Sequence, residues 1–173
     1  IAVIGSGATA ITIVPAIAEQ AQHVVMVQRS PTYVVSGPSE DVINKFLRKI
    51  LPIRVTYFLI RWKNIFYQSF TFFMARKYPE RTKSRILDLA KNEIGIENVN
   101  QHFTPSYKPW DQRICLVPDS DLFNAINNEK ASVVTDTINE FHKDGILLDS
   151  GKKIEADVII TATGIELNSL NDI

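Results

Sequence analysis

The feature that most constrains the fold is a glycine-rich turn near the start of the chain. Residues 1–4 (IAVI) are apolar, the turn GSGATA occupies residues 5–10, and residues 8–20 have the Ala- and Ile-rich composition of a helix. A β-branched run at 23–29 (HVVMVQR) completes a strand, turn, helix and strand in about thirty residues, the size of one βαβ unit. The sequence therefore predicts an α/β fold with a Rossmann-like dinucleotide-binding domain.

The turn has the spacing G-x-G-x-x-A, which suits a bound pyrophosphate. Gly5 allows the tight turn after the strand, Gly7 lets the backbone approach the ligand, and a small third residue lets the helix pack closely. The phosphates then lie over free N–H groups where the helix begins at Ala8. The hydroxyls of Ser6 and Thr9 are candidate additional donors. Because a strand precedes the motif and a helix follows it, we favour a nucleotide site over a glycine-rich turn that binds nothing.

The second predicted strand ends in Gln28-Arg29-Ser30, and this end bears on which dinucleotide binds. An Asp or Glu here accepts a hydrogen bond from the ribose 2′-hydroxyl of NAD or FAD, whereas an Arg favours a 2′-phosphate. Arg29 offers a charge-assisted, bidentate contact, and Ser30 can donate as well. We therefore predict NADPH rather than NADH or FAD. The alternative is a solvent-exposed arginine at a strand end.

The pattern along the rest of the 173-residue chain indicates a nucleotide-binding core that is split by helices. We expect residues 1–38 and 96–173 to form the NADPH-binding domain and residues 39–95 to form a helical insertion. Expected helices lie at 39–51 with Ser39 as N-cap, at 53–77, at 79–94 and at 119–128. Residues 31–38 and 96–118, which are punctuated by prolines, are expected to be irregular, and strands are expected at 131–135, 137–142, 145–148 and 156–162.

Two later segments are candidates for function. The proline-rich loop Trp110-Asp111-Gln112-Arg113 holds a fixed cation in an irregular segment, where functional residues often lie. The alternative for Arg113 is a structural ion pair with Asp111. The apolar run 157–161 ends in Ala162-Thr163-Gly164, whose small residues permit close backbone approach of a cofactor or another domain. The alternative there is a strand that simply ends in a turn.

Composition excludes several classes of function. Nineteen basic residues balance nineteen acidic ones, so no net charge favours nucleic acid, and any anion site must be local. The three histidines are scattered without metal-ligand spacing, and we predict no metal. Cys115, the one cysteine, permits no internal disulfide and is expected to be a small buried residue. These features favour a reducing, cytoplasmic compartment.

The predicted helix at 53–77 is crowded with aromatic residues. Its uncharged run at 64–75 is too short to cross a bilayer. Basic residues flank this run, as in helices that lie at a membrane surface. They are Arg61, Lys63, Arg76 and Lys77. We expect the helix to pack on the protein's own core or on absent domains, with membrane-surface contact as the less favoured alternative.

Four stretches together resemble a known family. GSGATA, VQRSPTYVVS, PSYKPWDQRICLVPDSDLF and ADVIITATG are similar to the NADPH-binding region of flavin-containing Baeyer–Villiger-type monooxygenases, most of all to the subgroup that includes the ethionamide-activating monooxygenase. The resemblance covers nearly the whole chain. It implies a fragment of a larger flavoprotein with two dinucleotide domains, in which NADPH reduces FAD. The reduced FAD then forms a C4a-peroxyflavin with O2 that oxygenates a ketone or a soft sulfur compound.

The resemblance also implies roles for individual residues. Arg113 matches the arginine that stabilises the negative peroxyflavin and contacts the nicotinamide in this family, and is thus the expected catalytic residue. Gln112 stands where many relatives carry a lysine that helps to hold the 2′-phosphate, so NADPH preference depends more on Arg29. Ala162-Thr163-Gly164 matches a linker motif between the two nucleotide domains and is expected to contact cofactor.

The resemblance is incomplete at its ends. The FAD-binding glycine motif and the F-x-G-x-x-x-H signature, expected before Ile1, are absent from this sequence. We therefore expect the chain to bind NADPH, to bind FAD poorly, and to need the FAD-binding domain of the same protein for activity. The main alternative is a stand-alone NADP(H)-binding or sensing module. A single-cofactor dehydrogenase is discounted because no Tyr has a Lys four residues later, and an FAD-binding domain is disfavoured by Arg29.

Overall fold

The computed structural model describes residues 1–164, which begin with a strand–helix–strand unit and contain nine strands and six helices. The strands are β1 (Ala2–Ile4), β2 (Val24–Gln28), β3 (Val34–Gly37), β4 (Cys115–Pro118), β5 (Ala131–Thr135), β6 (Ile138–His142), β7 (Gly145–Leu148), β8 (Lys153–Glu155) and β9 (Ile159–Thr161). The helices are α1 (Ala8–Ala18), α2 (Val42–Ile50), α3 (Ile53–Lys77), α4 (Pro79–Ile94), α5 (Ile96–His102) and α6 (Asp121–Asn127).

A parallel sheet with the strand order β5-β2-β1-β9 forms the centre of the molecule. Ile4 of β1 is in register with Val27 of β2 and with Thr161 of β9, so these three strands end at the same level. The apolar run at 1–4 suits this central place because β1 is covered on both faces, as strands of parallel sheets usually are. The predicted α/β fold with a parallel sheet is confirmed.

Two apolar layers cover the faces of this sheet. On one face the α1 residue Val14 packs in a cluster with Phe103 and with Leu122 and Phe123 of α6. On the other face β6, β7 and β8 form an antiparallel sheet, whose apolar residues pack against the central strands. The residues of this second cluster are Ala2, Val27, Ile146, Leu148 and Ile154. The architecture is therefore helices, parallel sheet and β-meander in three layers.

Two segments that we expected to be irregular contain regular structure. Residues 31–38 include β3, which pairs in parallel with β4, with Val34 opposite Cys115. Residues 96–118 include both α5 and β4. The prolines in these segments suggested loops. The β-branched pair at 34–35 is nevertheless part of a strand, because it pairs with residues about eighty positions later in the chain. A pairing so distant in sequence leaves no local signal.

The cap of α2 also differs from our expectation. The Asp41 carboxylate accepts hydrogen bonds from the backbone N–H groups of Ile43 and Asn44, so Asp41 and not Ser39 is the N-cap. These bonds, and one with Lys63 of α3, hold the pKa of Asp41 below its ordinary value. The backbone N–H of Ser39 instead donates to Asp119.

Helices α2, α3 and α4 lie between β3 and β4 in the chain, where a helical insertion was expected. Of the 25 residues of α3, only Thr56 and Ala75 are buried, so the helix packs little on the core of the described residues. Its packing on absent domains, the other part of the expectation, stays a prediction. Within residues 1–164, no helix has the length and apolarity needed to cross a membrane. The division of the chain into two units stays a prediction, and residues 165–173 of the expected nucleotide domain lie outside the described part.

Substitution of Gly5 should test the close packing at the end of β1. Gly5 has a φ of 134°, and a Cβ there would lie 2.4 Å from the Ala162 carbonyl oxygen. We expect Gly5→Ala to lower the free energy of unfolding by roughly 2–4 kcal/mol in urea denaturation, because both the backbone and its neighbour must shift. Gly7→Ala is the matched control, since nothing lies within 4 Å of a Cβ at that position. Equal stability of the two variants would contradict this account.

Candidate functional site

The candidate site begins at the edge where the four parallel strands end. Gly5, Arg29, Asp136 and Ala162 immediately follow β1, β2, β5 and β9. The backbone N–H of Gly5 donates to Val27 O at 2.8 Å, and that of Ala162 donates to Ile4 O at 2.7 Å. In open α/β sheets, ligands bind in the crevice outside this edge. The glycine-rich turn, the Arg29 segment and the Ala162-Thr163-Gly164 stretch thus lie at one edge of the sheet.

The N-terminus of α1 offers free donors at this edge. Gly7 is the N-cap, no side chain caps the helix, and its first turn contains no acidic residue. The first intrahelical bond runs from Ile11 N to Gly7 O at 3.1 Å, so the N–H groups of Ala8 and Thr9 have no acceptor inside the helix. Gly7, Ala8 and Thr9 are exposed, and Ser6 is half-buried beside them. This arrangement can receive an anionic group over the positive end of the helix dipole.

Arg29 and Ser30 are exposed, whereas Gln28 before them is fully buried. The Gln28 amide nitrogen donates to His102 O at 2.7 Å and to Thr135 Oγ1 at 2.8 Å. Thr135 Oγ1 also lies 2.8 Å from His102 Nδ1. These contacts join the ends of β2, β5 and α5, so the backbone that carries Arg29 is fixed. Within residues 1–164, the Arg29 guanidinium forms no ion pair, which leaves it available to an anion.

This buried network is part of the site that sequence reasoning missed. Burial, with a smaller effect from Lys152, lowers the pKa of His102, so the imidazole is neutral near pH 7. A neutral ring can accept a hydrogen bond from the Thr135 hydroxyl, while that hydroxyl accepts one from the Gln28 amide. The sequence contains one signal for this network: Gln28 and Thr135 are polar residues at the carboxyl ends of two apolar runs. Parallel pairing of these two strands places the residues side by side.

The segment 104–114, here called the Arg113 loop, is attached to the nucleotide edge at both of its ends. Near its start, the Tyr33 hydroxyl donates to Tyr107 O at 2.6 Å, and the two rings pack edge to face at 5.4 Å. Burial raises the pKa of Tyr33 to about 12, so this donor keeps its proton. Just after the loop, the Cys115 thiol lies 3.9 Å from Ser6 O. Arg113, two residues before Cys115, is therefore close to the glycine-rich turn.

Helices α3 and α4 hold the middle of the Arg113 loop. The contacts are Phe72 with Trp110 (rings 5.4 Å apart), Arg76 with Asp111 (2.6 Å) and Lys83 Nζ with Pro105 O (2.9 Å). Trp110 has a φ of 69°, which turns the chain sharply between the prolines and Gln112. The helical insertion therefore fixes the loop, a role that the sequence did not indicate.

Asp111 pairs with Arg76, so the alternative in which Arg113 is the structural partner of Asp111 is wrong. Arg113 and Gln112 are both exposed. In the described part of the chain, the Arg113 guanidinium forms no ion pair or hydrogen bond. Arg29 and Arg113 are thus two exposed arginines that form no ion pair in the described chain. Cys115 is buried, as expected.

Comparison with curated proteins gives relatives over almost the whole chain. The chain is 50% identical over 170 residues to the FAD-containing monooxygenase EthA of Mycobacterium tuberculosis and 45% identical over 174 residues to the probable FAD-binding monooxygenase AlmA of Acinetobacter baylyi. The matches cover 96% and 100% of this chain, but only 35% of each relative. The chain thus spans about a third of the length of these curated relatives. No family model matches the sequence.

Solved structures share the fold at lower identity. An oxidized steroid monooxygenase bound to NADP matches with a TM-score of 0.68 and 19% identity, over 95% of this chain and 38% of that one. An open structure of cyclohexanone monooxygenase matches with a TM-score of 0.70 and 19% identity, over 94% and 39%. OTEMO in complex with FAD and NADP matches with a TM-score of 0.64 and 16% identity, over 95% and 37%. Identities this low establish the fold alone.

The network around His102 should make stability depend on pH. The pKa of His102 is lower in the folded protein than the ordinary value of 6.5, so the unfolded chain binds the proton more readily. The contribution of the neutral imidazole to stability is therefore fully present above about pH 6.5, and it is lost as the pH drops below that value. We expect the free energy of unfolding in urea to differ less between pH 7.5 and pH 5.5 for His102→Gln than for the wild type.

His142 provides the control for this experiment, because it lies exposed on β6. His142→Gln should retain the wild-type pH dependence. If His102→Gln and the wild type lost equal stability between the two pH values, the buried neutral imidazole would not be its source.

Proposed function

Since the chain is related along its length to FAD-containing monooxygenases and shares its fold with Baeyer–Villiger monooxygenases, we propose that it is the NADPH-binding part of such an enzyme. The complete protein is a cytoplasmic NADPH- and FAD-dependent monooxygenase, whose FAD-binding domain lies outside this chain. It transfers one oxygen atom from O2 to a ketone, giving an ester, or to a sulfur compound. FAD, when bound, supplies the activation of O2, and the isolated chain is inactive.

One observation carries this proposal: the uncapped N-terminus of α1 faces the same sheet edge as the unpaired guanidinium of Arg29. The pyrophosphate binds the N–H groups of the turn from Gly5 to Thr9, with the Ser6 hydroxyl as a further donor. Arg29 and Ser30 bind the 2′-phosphate at the end of the next strand. Because the Gln28 network fixes that strand end, Arg29 binds with little loss of backbone freedom.

Arg113 is the proposed catalytic residue. Its guanidinium is exposed and unpaired in the described chain, on a loop whose neighbour Cys115 contacts Ser6 of the glycine-rich turn. With the dinucleotide bound, this cation would stabilise negative charge that develops on the reacting groups. Gln112 contributes a neutral amide donor next to it. Phe72 and Arg76 act as positioning residues, since they hold Trp110 and Asp111 of the same loop.

The stretch Ala162-Thr163-Gly164 completes the proposed cofactor site. Ala162 is buried against the turn at Gly5, and Thr163 and Gly164 are exposed where β9 ends. Small residues there let the backbone approach the dinucleotide closely. The resemblance of the same stretch to a linker motif implies that it joins this chain to the proposed FAD-binding domain.

We also propose that the α2–α3 surface contacts a membrane surface, which makes the cytoplasmic enzyme a peripheral one. Large apolar side chains are exposed on both helices, for example Phe46 at 61% and Phe66 at 66%. Interfacial helices combine such aromatic residues with lysine and arginine. The exposed residues of this surface are not part of the proposed nucleotide site, which lies at the carboxyl edge of the central sheet.

The role of Arg29 is tested by comparing two nucleotides. We expect Arg29→Ala to weaken NADPH binding roughly 10- to 100-fold and to leave NADH binding within about twofold, because only NADPH carries the 2′-phosphate. Isothermal titration of both nucleotides measures this. Arg81→Ala, which removes an exposed arginine of α4, is the matched control and should change neither affinity. Equal losses for NADPH and NADH would reject the assignment.

The role of Arg113 is tested in the complete FAD-containing enzyme. We expect Arg113→Ala to lower the rate of substrate oxygenation about 100-fold or more, as loss of a preorganised charge in an active site does. The affinity for NADPH should change far less, because Arg29 and the turn supply most of the binding. Stopped-flow measurement of oxygenation alongside an NADPH titration separates the two effects. An unchanged oxygenation rate would show that Arg113 is not catalytic.

A further inference from the structure

The α2–α3 surface differs in charge from the rest of the molecule. The chain as a whole has nineteen basic and nineteen acidic residues, but residues 42–79 contain no Asp or Glu at all. The basic residues of this segment are Lys45, Arg48, Lys49, Arg54, Arg61, Lys63, Arg76 and Lys77. The charges of the chain balance overall but are unevenly distributed, and the α2–α3 surface carries an excess of positive charge.

A groove of about 650 Å³ lies between α2 and α3 on this surface. Its lining includes three arginines and three isoleucines: Arg48, Arg54, Arg61, Ile53, Ile60 and Ile65. No carboxylate lines the groove, and within residues 1–164 none of the three guanidiniums forms an ion pair. Three like charges around one groove repel one another, so an anion placed among them is stabilised.

Two of these guanidiniums are already oriented by neighbours on their own helices. Arg48 Nε donates to Asn44 Oδ1 at 3.2 Å, and an Arg61 terminal nitrogen donates to the Tyr57 hydroxyl at 3.1 Å. Each uses only one of the five N–H donors of a guanidinium, which leaves the others for a ligand. Planar guanidiniums match the oxygens of a phosphate in a bidentate manner.

Aromatic rings on α3 accompany the groove. Phe58 and Trp62 have ring centroids 6.2 Å apart, and Trp62 and Phe66 have centroids 5.6 Å apart, so the three form a row at helical spacing. They are exposed at 60%, 44% and 66%. Tryptophan and phenylalanine beside arginine are the side chains that helices use at the level of lipid headgroups.

We propose that this groove binds the phosphodiester headgroup of an anionic phospholipid at a bilayer surface. Arg48, Arg54 and Arg61 surround the phosphate, and the aromatic row enters the boundary between headgroups and acyl chains. Lys45 and Lys63 form ion pairs with Glu40 and Asp41, but the three arginines of the groove have no such partner in the described chain. This excess of positive charge favours an anionic bilayer as the partner. The inference rests on the proposed membrane contact and is independent of the NADPH site.

The test is co-sedimentation of the full-length protein with vesicles. One set of vesicles is pure phosphatidylcholine, and the other is an equimolar mixture of phosphatidylcholine and phosphatidylglycerol. We expect binding to the mixed vesicles and at least tenfold weaker binding to the neutral ones. Arg54→Gln/Arg61→Gln should weaken binding to the mixed vesicles about 25-fold, since each basic residue near the surface contributes about 1 kcal/mol.

A matched variant distinguishes specific binding in the groove from nonspecific electrostatic attraction to the vesicle. Lys143→Gln/Lys153→Gln makes the same change in net charge on the exposed β-meander, and its binding should stay within about twofold of the wild type. Equal losses in the two double variants would overturn the groove as a specific site. Circular dichroism and an NADPH titration of each variant confirm that the fold is retained.

A third variant and a small anion distinguish the remaining outcomes. Suppose that vesicle binding is retained in Arg54→Gln/Arg61→Gln but lost in Phe58→Ser/Trp62→Ser. This result would overturn the groove as the headgroup site and would support the membrane contact. Titration with inorganic phosphate that saturates the groove, without any vesicle binding, would overturn the lipid as ligand. Absence of binding to both vesicle types, with normal NADPH affinity, would overturn this inference and the membrane contact but not the proposed nucleotide function.

Discussion

The close contact between the turn at Gly5 and the end of β9 is the constraint on which the rest of the site depends. The Gly5 backbone is bonded to β2 on one side, and it lies so close to the Ala162 carbonyl that no side chain fits between them. This contact holds the ends of β1, β2 and β9 at one level. It starts α1 at this edge of the sheet with its first N–H groups free, and Arg29 follows β2 at the same edge. The anion site is thus a consequence of how tightly three strand ends are packed.

The helical insertion has a structural consequence that reaches the proposed chemistry. Through Phe72 and Arg76, α3 holds the loop that carries Arg113, and Lys83 of α4 binds the start of that loop. Further along the same helices, large apolar side chains and unpaired arginines are exposed in the described chain. A ligand or partner on that outer surface therefore acts on elements that also position Arg113. This arrangement offers a physical connection between membrane contact and the active site, without any contact between the two ligands.

Local sequence patterns predicted the fold where the determinants are local. The glycine spacing at 5–10 and the two flanking apolar runs give the βαβ unit, and the Gly145 turn gives the β6–β7 hairpin. Distant pairings were not predictable in this way: β3 pairs with β4, and Gln28 bonds to α5 and β5 residues more than seventy positions later. Arg76 as the partner of Asp111 was missed for the same reason, because Arg113 is nearer in sequence. Site residues on the motif were predictable, whereas those that hold the motif in place were not.

The central claim is that the turn at Gly5 binds the pyrophosphate of NADPH and that the arginine at the end of β2 binds its 2′-phosphate. Amide hydrogen exchange, measured with and without NADPH and NADH, tests it most directly. The account predicts that both nucleotides protect the N–H groups of residues 7–10, and that NADPH alone also protects those of Arg29 and Ser30. Protection by neither nucleotide at residues 7–10, or protection of Arg29 and Ser30 by both nucleotides to the same degree, would contradict it.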